Sequence, residues 1–511
     1  MSGGAPSTER SRVLVLAREN VLHWTTLYIA AFREIAEVIT VGPALRLENL
    51  AEQGWQDTVR WRVPNDIISD SGDYLELAAL LPEGWRPDFV VGIHSSGPRY
   101  RNIARVAVPT AYISVDTWHD PEEFKQARGF DAVFCAQRAF AEYLREGGVP
   151  RAEWLPLGCS PAHHFPVEQP PVHDFSFAGI AFFKVNRQRV ARMRRLGERY
   201  DVGMYGALGG EDYCRALASG KAVFNSSVAQ DVNMRVFEVM ACGRPLFTNR
   251  DAAANGLEEL FEEGRHYWGY DDDDLMAQAE RLMTDDALRE TLAENARVEV
   301  LAKHTYRHRA EAVLDTLLKL QPDKPSDTLL REGARLADHL PFGVRTFYDI
   351  GMGLERSRVS LRHAGVERVI GVPLDAAGAA ARAGRYDAVL TWPLPEGTPH
   401  VDAVVSAHPM RQGLGLPDLV AGARTVLGAG GELLLLVSAA DAEACGLGAD
   451  ASRWDAWLYE QRFHLILFHA ATDAAGEPVL LVRGRHYRRD LLDISTEIFE
   501  RFPGGDIGPL E

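Results

Sequence analysis

Short runs rich in β-branched and apolar residues, each followed by a turn and an amphipathic helical pattern, recur along the whole chain. That alternation restricts the fold to parallel sheets covered by helices, because a strand followed by a crossover helix returns parallel to its predecessor. Strands are expected at residues 13–17, 38–41, 88–93, 110–115 and 132–135, with a helix at 25–36. A stretch rich in proline and histidine, 156–171, breaks the pattern and reads as a connection. A second series has strands at 175–178, around Tyr205, at 221–224 and at 245–248, then helices at 274–283 and 286–301 and a last one ending at Leu320. The segment 321–327 (QPDKPSD) has two prolines and no periodicity, as a linker does. A third series follows, with strands at 346–350, 368–372, 388–391, 403–406 and 432–437. The expected fold class is α/β, with three Rossmann-like units. The expected limits are 1–170, 171–320, a linker at 321–335, and 336–511.

At 511 residues the chain exceeds one compact core, and 46% hydrophobic with 25% charged residues is the composition of a globular protein. No apolar run approaches the roughly 20 residues that span a bilayer, and residues 1–12 lack the apolar segment of a secretory signal. Five scattered cysteines without a CxxC pair argue against a disulfide framework or a zinc site. A cytoplasmic location is expected. A net charge of −17 repels phosphate polymers, so nucleic acid is not an expected partner, although a small anion in a local basic pocket is compatible with it.

The segment 225–248 (NSSVAQDVNMRVFEVMACGRPLFT) carries the most chemistry. A strand runs into a polar loop, and a helix begins near Asn233. Its unpaired amides and positive dipole end make a seat for a diphosphate. One turn further in, Glu238 can accept two hydrogen bonds from a ribose diol. Gly243 and Pro245 end the helix and open the next strand.

The string Arg235-x-Phe237-Glu238-x-x-Ala241-x-Gly243-x-Pro245 resembles the donor-binding helix of GT-B glycosyltransferases, especially the group related to the spore-maturation protein CgeB. The resemblance implies a nucleotide-sugar donor (a UDP-, GDP- or dTDP-sugar) between two Rossmann-like units, and no divalent metal. Where many relatives have a sugar-binding Glu, this chain has Gln230, then Asp231. Residues 175–189 (FSFAGIAFFKVNRQR) resemble the family's first donor strand and basic loop, which implies that Lys184, Arg187 and Arg189 neutralise the diphosphate. The tail with Lys303, His304, Thr305, Tyr306 and Arg309 resembles its closing helix. In the first unit, two polar loops follow buried strands. His94 is the candidate for the donor sugar, as retaining relatives have a His at a comparable loop. Asp116 or His119 can bind or deprotonate the acceptor hydroxyl.

The acidic run Asp271 to Asp274 precedes a helix, where the dipole stabilises carboxylates, and consecutive side chains are expected to point apart rather than onto one ion. In the third unit, 347–353 (FYDIGMG), with Asp349, Gly351 and Gly353, resembles the first motif of class I S-adenosylmethionine methyltransferases. Pro373 stands where an acid usually holds the cofactor ribose, Trp392 where another lies near the adenine, and Glu355 in place of a third glycine. This unit reads as a decayed domain kept for homodimer formation or acceptor capture.

The expected function is glycosyl transfer from a nucleotide sugar to a hydroxyl acceptor on a glycan, protein or metabolite. A bifunctional glycosyltransferase–methyltransferase that binds S-adenosylmethionine and a non-catalytic sugar-nucleotide or glycan-binding scaffold are the alternatives.

Overall fold

The computed structural model describes residues 10–21, 23–48, 56–93, 99–115, 126–149, 151–179, 187–320, 336–353, 365–375 and 382–489 apart from 474, with isolated positions at 361, 380, 493–494 and 497. Three sheets follow one another along the chain. The first contains β1 (Arg12–Leu16), β2 (Glu37–Gly42), β3 (Ile67–Ile68), β4 (Phe89–Ile93), β5 (Thr110–Ser114), β6 (Ala132–Cys135) and β7 (Ala152–Trp154). Its order is β3-β2-β1-β4-β5-β6-β7, all parallel, and the order reverses between β1 and β4.

The second sheet contains β8 (His173–Ala178), β9 (Val202–Tyr205), β10 (Gly220–Asn225), β11 (Leu246–Asn249) and β12 (Trp268–Tyr270). These strands are parallel in the order β12-β11-β10-β8-β9. The reversal falls between β8 and β10, where open α/β sheets bind ligands beyond the carboxyl ends of the strands.

The third sheet contains β13 (Thr346–Ile350), β14 (Arg368–Val372), β15 (Ala388–Val389), β16 (Val401–Ala407), β17 (Leu427–Ser438), β18 (Phe463–Thr472) and β19 (Pro478–His486). Its order is β15-β14-β13-β16-β17-β19-β18, with β19 antiparallel to both neighbours, a methyltransferase-like doubly wound sheet. The β18–β19 hairpin extends the strand series expected from the sequence.

A single apolar core joins the first two units. Helix Trp24–Ile35 follows β1 and buries Trp24, Leu27, Tyr28, Ala31 and Phe32, an i, i+3, i+4 stripe. Helix Tyr306–Leu320 presents Ala310, Val313, Leu314 and Leu317 in the same register and packs against it. The same core runs on into Val236, Phe237 and Met240 of helix Met234–Ala241. Among the described residues, no helix is long and apolar enough to cross a membrane.

Candidate functional site

Helix Met234–Ala241 leaves the β10 loop with Asn233 at its N-cap. Five of its residues, Val236, Phe237, Val239, Met240 and Ala241, are buried apolar contacts that fix the helix against both units. Glu238 is also buried, at 7% exposure, and it faces a cleft of about 330 Å³. The helix ends where Gly243 takes φ +64° and returns its N–H to Met240 O at 3.0 Å.

The cleft is lined by both units: His23, Trp24, Leu27 and Gln137 from the first, and Arg189, Tyr213, Asp231, Asn233, Arg235 and Glu238 from the second. Polar side chains hold the two units together beside it. Gln137 Oε1 accepts from Val232 N at 3.1 Å, and Asn255 bonds both Ala139 N (3.2 Å) and Gln230 O (3.0 Å).

The loop before the helix is strained. Ala229 and Gln230 are consecutive non-glycine residues at φ +51° and +57°. Such conformations cost about 1–3 kcal/mol each and concentrate at functional sites. Gln230 is thus held by its backbone carbonyl, and Asp231 by accepting Val228 N at 2.7 Å. The Asn233 Oδ1 atom is buried without a hydrogen-bond partner, at the mouth of the helix. A buried acceptor in that condition suits a ligand donor.

The arginines take parts that spacing alone does not reveal. Arg235 donates Nε and Nη2 to Ala178 O at 3.0 and 2.8 Å and Nη1 to Asn225 Oδ1 at 2.9 Å, and it stacks 4.3 Å over Phe177. Arg189 donates Nε and Nη2 to Ser226 O at 3.1 and 2.8 Å, and burial pulls its pKa down to about 10. Both guanidiniums line the cleft while bracing the ends of β8 and β10. Arg187 is exposed at the start of helix Arg187–Leu196. His94, Asp116, His119 and Lys184 lie outside the described residues.

Three residues that the sequence reading passed over belong to the site. Tyr213 donates to Glu238 Oε2 at 2.6 Å, His164 Nε2 lies 3.5 Å from Oε1, and His23 lines the cleft from the first unit. His164 falls in the 156–171 stretch, where its proline-rich surroundings suggest only a connection. His23 had a readable signal, since it stands just past the first strand and immediately before an amphipathic helix.

The expectation that the carboxylates of the acidic run point apart is corrected. Ligand atoms of Asp271, Asp273 and Asp274 lie within 4.8 Å of one another. The turn folds back because Asp271 N–H bonds Asp274 Oδ1 at 2.7 Å. The guanidinium of Arg250 sits on Asp271 and Asp274 at 2.8 and 3.2 Å and also pairs with Glu263.

In the third unit, buried Asp349 receives the Tyr386 hydroxyl at 2.6 Å and Gly353 N at 3.2 Å. Gly351 takes φ +90°, and a Cβ there would meet Gln412 Nε2 at 2.6 Å. A Cβ at Gly353 would meet that of Ala407 at 2.9 Å. Arg382 caps Met352 O at 2.9 Å. Side chains of Gln412 and Arg382 thus pack against the glycine turn, and Pro373 follows the last residue of β14.

No curated protein matches the chain. Among solved structures, sucrose-phosphate synthase from Thermosynechococcus elongatus is similar over 61% of this chain and 99% of that one, at 14% identity and a TM-score of 0.40. TarM is similar over 45% of this chain and 54% of its own, at 9% identity and a TM-score of 0.34. A 16S rRNA (adenine(1408)-N(1))-methyltransferase from Catenulisporales acidiphilia is similar over 28% of this chain and 85% of its own, at 19% identity and a TM-score of 0.23. Residues 181–315, which contain the helix with Glu238 and the closing helix's Arg309, match the family model described as glycosyl transferase-like.

Proposed function

We propose that the chain transfers a sugar from a nucleotide-sugar donor to a hydroxyl acceptor, as a GT-B glycosyltransferase of the CgeB-related kind. The observation that carries this reading is the buried Glu238 carboxylate, one turn inside a helix whose N-terminus opens on the cleft between two Rossmann-like units. Glu238 accepts the ribose hydroxyls. The amides at the helix start and the buried Asn233 Oδ1 meet the diphosphate and the sugar hydroxyls, with Lys184 and Arg187 adding charge. Arg189 and Arg235 keep the two strand ends at the spacing that the diphosphate needs, and their field adds to the attraction. Residues 171–320 form the donor side and 1–170 the acceptor side. There, His94 faces the sugar, and Asp116 or His119 serves the acceptor hydroxyl.

Transfer without a divalent ion belongs to the same proposal, because helix amides and arginines supply positive charge at the phosphates. The third unit is kept for docking or acceptor capture rather than for methyl transfer. A thermal-shift series with UDP, GDP, CDP, dTDP and their sugar conjugates tests the reading. One nucleotide should raise the melting temperature, and Glu238→Ala should remove that rise. No shift with any nucleotide would overturn the proposal and favour a scaffold.

A further inference from the structure

Glu238 is held by two elements outside its own helix. From helix Gly210–Ala218, the Tyr213 hydroxyl donates to Oε2 at 2.6 Å. From the connection between the units, His164 sets its Nε2 3.5 Å from Oε1. The Nδ1 of His164 accepts Ser160 N–H at 3.1 Å, so the ring proton resides on Nε2 and points at the carboxylate. Burial, with His163 nearby, drives the His164 pKa down to about 3, so the ring is neutral at physiological pH. The two rings meet edge to face, with centroids 6.1 Å apart.

The other groups around the carboxylate are Arg235 on its own helix, the thiols Cys214 and Cys242 3.6 Å from each other, and Cys159 with Tyr306 beside the closing helix. Arg235 is the one cation among them. A carboxylate has about four lone-pair positions; the Tyr213 hydroxyl takes one and His164 Nε2 stands 3.5 Å from the other oxygen, which leaves at least two for a diol.

We infer that Tyr213 and His164 are positioning residues that turn the Glu238 carboxylate so that its remaining lone pairs face a ribose diol. The inference rests on the reading of Glu238 as the ribose contact. Burial raises the pKa of Glu238, and the Tyr213 hydrogen bond and Arg235 pull it back. Removing the hydroxyl therefore lets the proton on at higher pH, and a protonated carboxyl no longer accepts both ribose hydroxyls.

The test measures dissociation constants of UDP and GDP, and of their 2′-deoxy counterparts, from pH 5.5 to 8.5. The proteins are wild type, Tyr213→Phe, His164→Gln and His164→Leu. For the nucleotide that wild type binds, Tyr213→Phe should weaken the ribose form about 10-fold near pH 6 and less near pH 8.5. The deoxy form should change little. His164→Gln, which keeps a donor, should stay near wild type while His164→Leu weakens binding. A loss equal at every pH and for both sugars would overturn the inference and make Tyr213 a packing residue. Wild type that binds neither UDP nor GDP, nor CDP or dTDP, would instead overturn the nucleotide reading itself.

Discussion

A Cβ at Gly179 would lie 2.4 Å from Nη2 of Arg235, so glycine at the end of β8 is what lets the guanidinium reach Ala178 O. Gly179 also takes φ +132°, in the region that side chains avoid. Gly179→Ala should expel Arg235 and loosen the β8–β10 junction. A loss of about 1–3 kcal/mol in urea unfolding, together with weaker nucleotide binding, is expected. Unchanged values for both would show that Arg235 does not depend on this close approach.

Glu238 should oppose stability while serving binding. Its folded pKa is raised above the unfolded value, first by burial. A raised carboxyl pKa contributes stability that is present below the unfolded pKa and lost as pH rises through the folded one. At pH 7.5, Glu238→Gln should therefore melt higher than wild type without ligand and show no nucleotide-dependent rise. A variant that melts lower without ligand would contradict this sign.

The third unit is docked on the first through a buried ion triad. Glu432 accepts Arg483 Nε at 2.9 Å and Arg485 Nε at 2.7 Å, and Arg485 reaches across to the carbonyls of Arg128 and Phe130. Burial alone would raise the pKa of Glu432, but the two guanidiniums outweigh it and the net shift is downward. The resulting stability is present above the unfolded carboxyl pKa and lost as pH falls through the folded one. Glu432→Ala leaves two buried cations and should cost about 3–5 kcal/mol in denaturant unfolding. A cost under about 1 kcal/mol would mean that water or other groups already compensate them.

S-adenosylmethionine, added far above the affinities usual for such cofactors, should leave the melting temperature of the whole chain unchanged. The reason is that Gln412 and Arg382 occupy the turn after β13. A clear upward shift would restore the bifunctional reading.

The strand–helix alternation was legible because strand length and β-branching mark buried parallel strands locally, and the expected strands lie within a residue or two of β1, β6, β8, β13 and β14. The helix boundary at Gly243 was legible because glycine with proline shortly after it ends a helix locally. The destinations of Arg189 and Arg235 were not. A basic residue near a phosphate seat looks the same in sequence whether it faces solvent or a backbone carbonyl, and only the sheet brings Ser226 O and Ala178 O within reach. Tyr213 and His164 stand 25 and 74 positions before Glu238, and no periodicity relates them. The convergence of Asp271, Asp273 and Asp274 depends on one turn and on Arg250, which lies more than 20 residues upstream.

Helix Tyr306–Leu320 comes last in the second series but lies against the helix that follows β1. Its Arg309 is bonded to Pro156 O at 2.6 Å and Leu157 O at 3.2 Å, on the crossover between the units. Order along the chain and order in space therefore disagree. A cassette cut near residue 170 would strip the first half of an apolar wall containing Val313 and Leu317, so that half should aggregate when made alone and regain solubility if residues 304–320 are supplied as a separate peptide. Swapping the second unit between similar proteins would have to carry this terminal helix with the first unit, not with the one it follows in sequence.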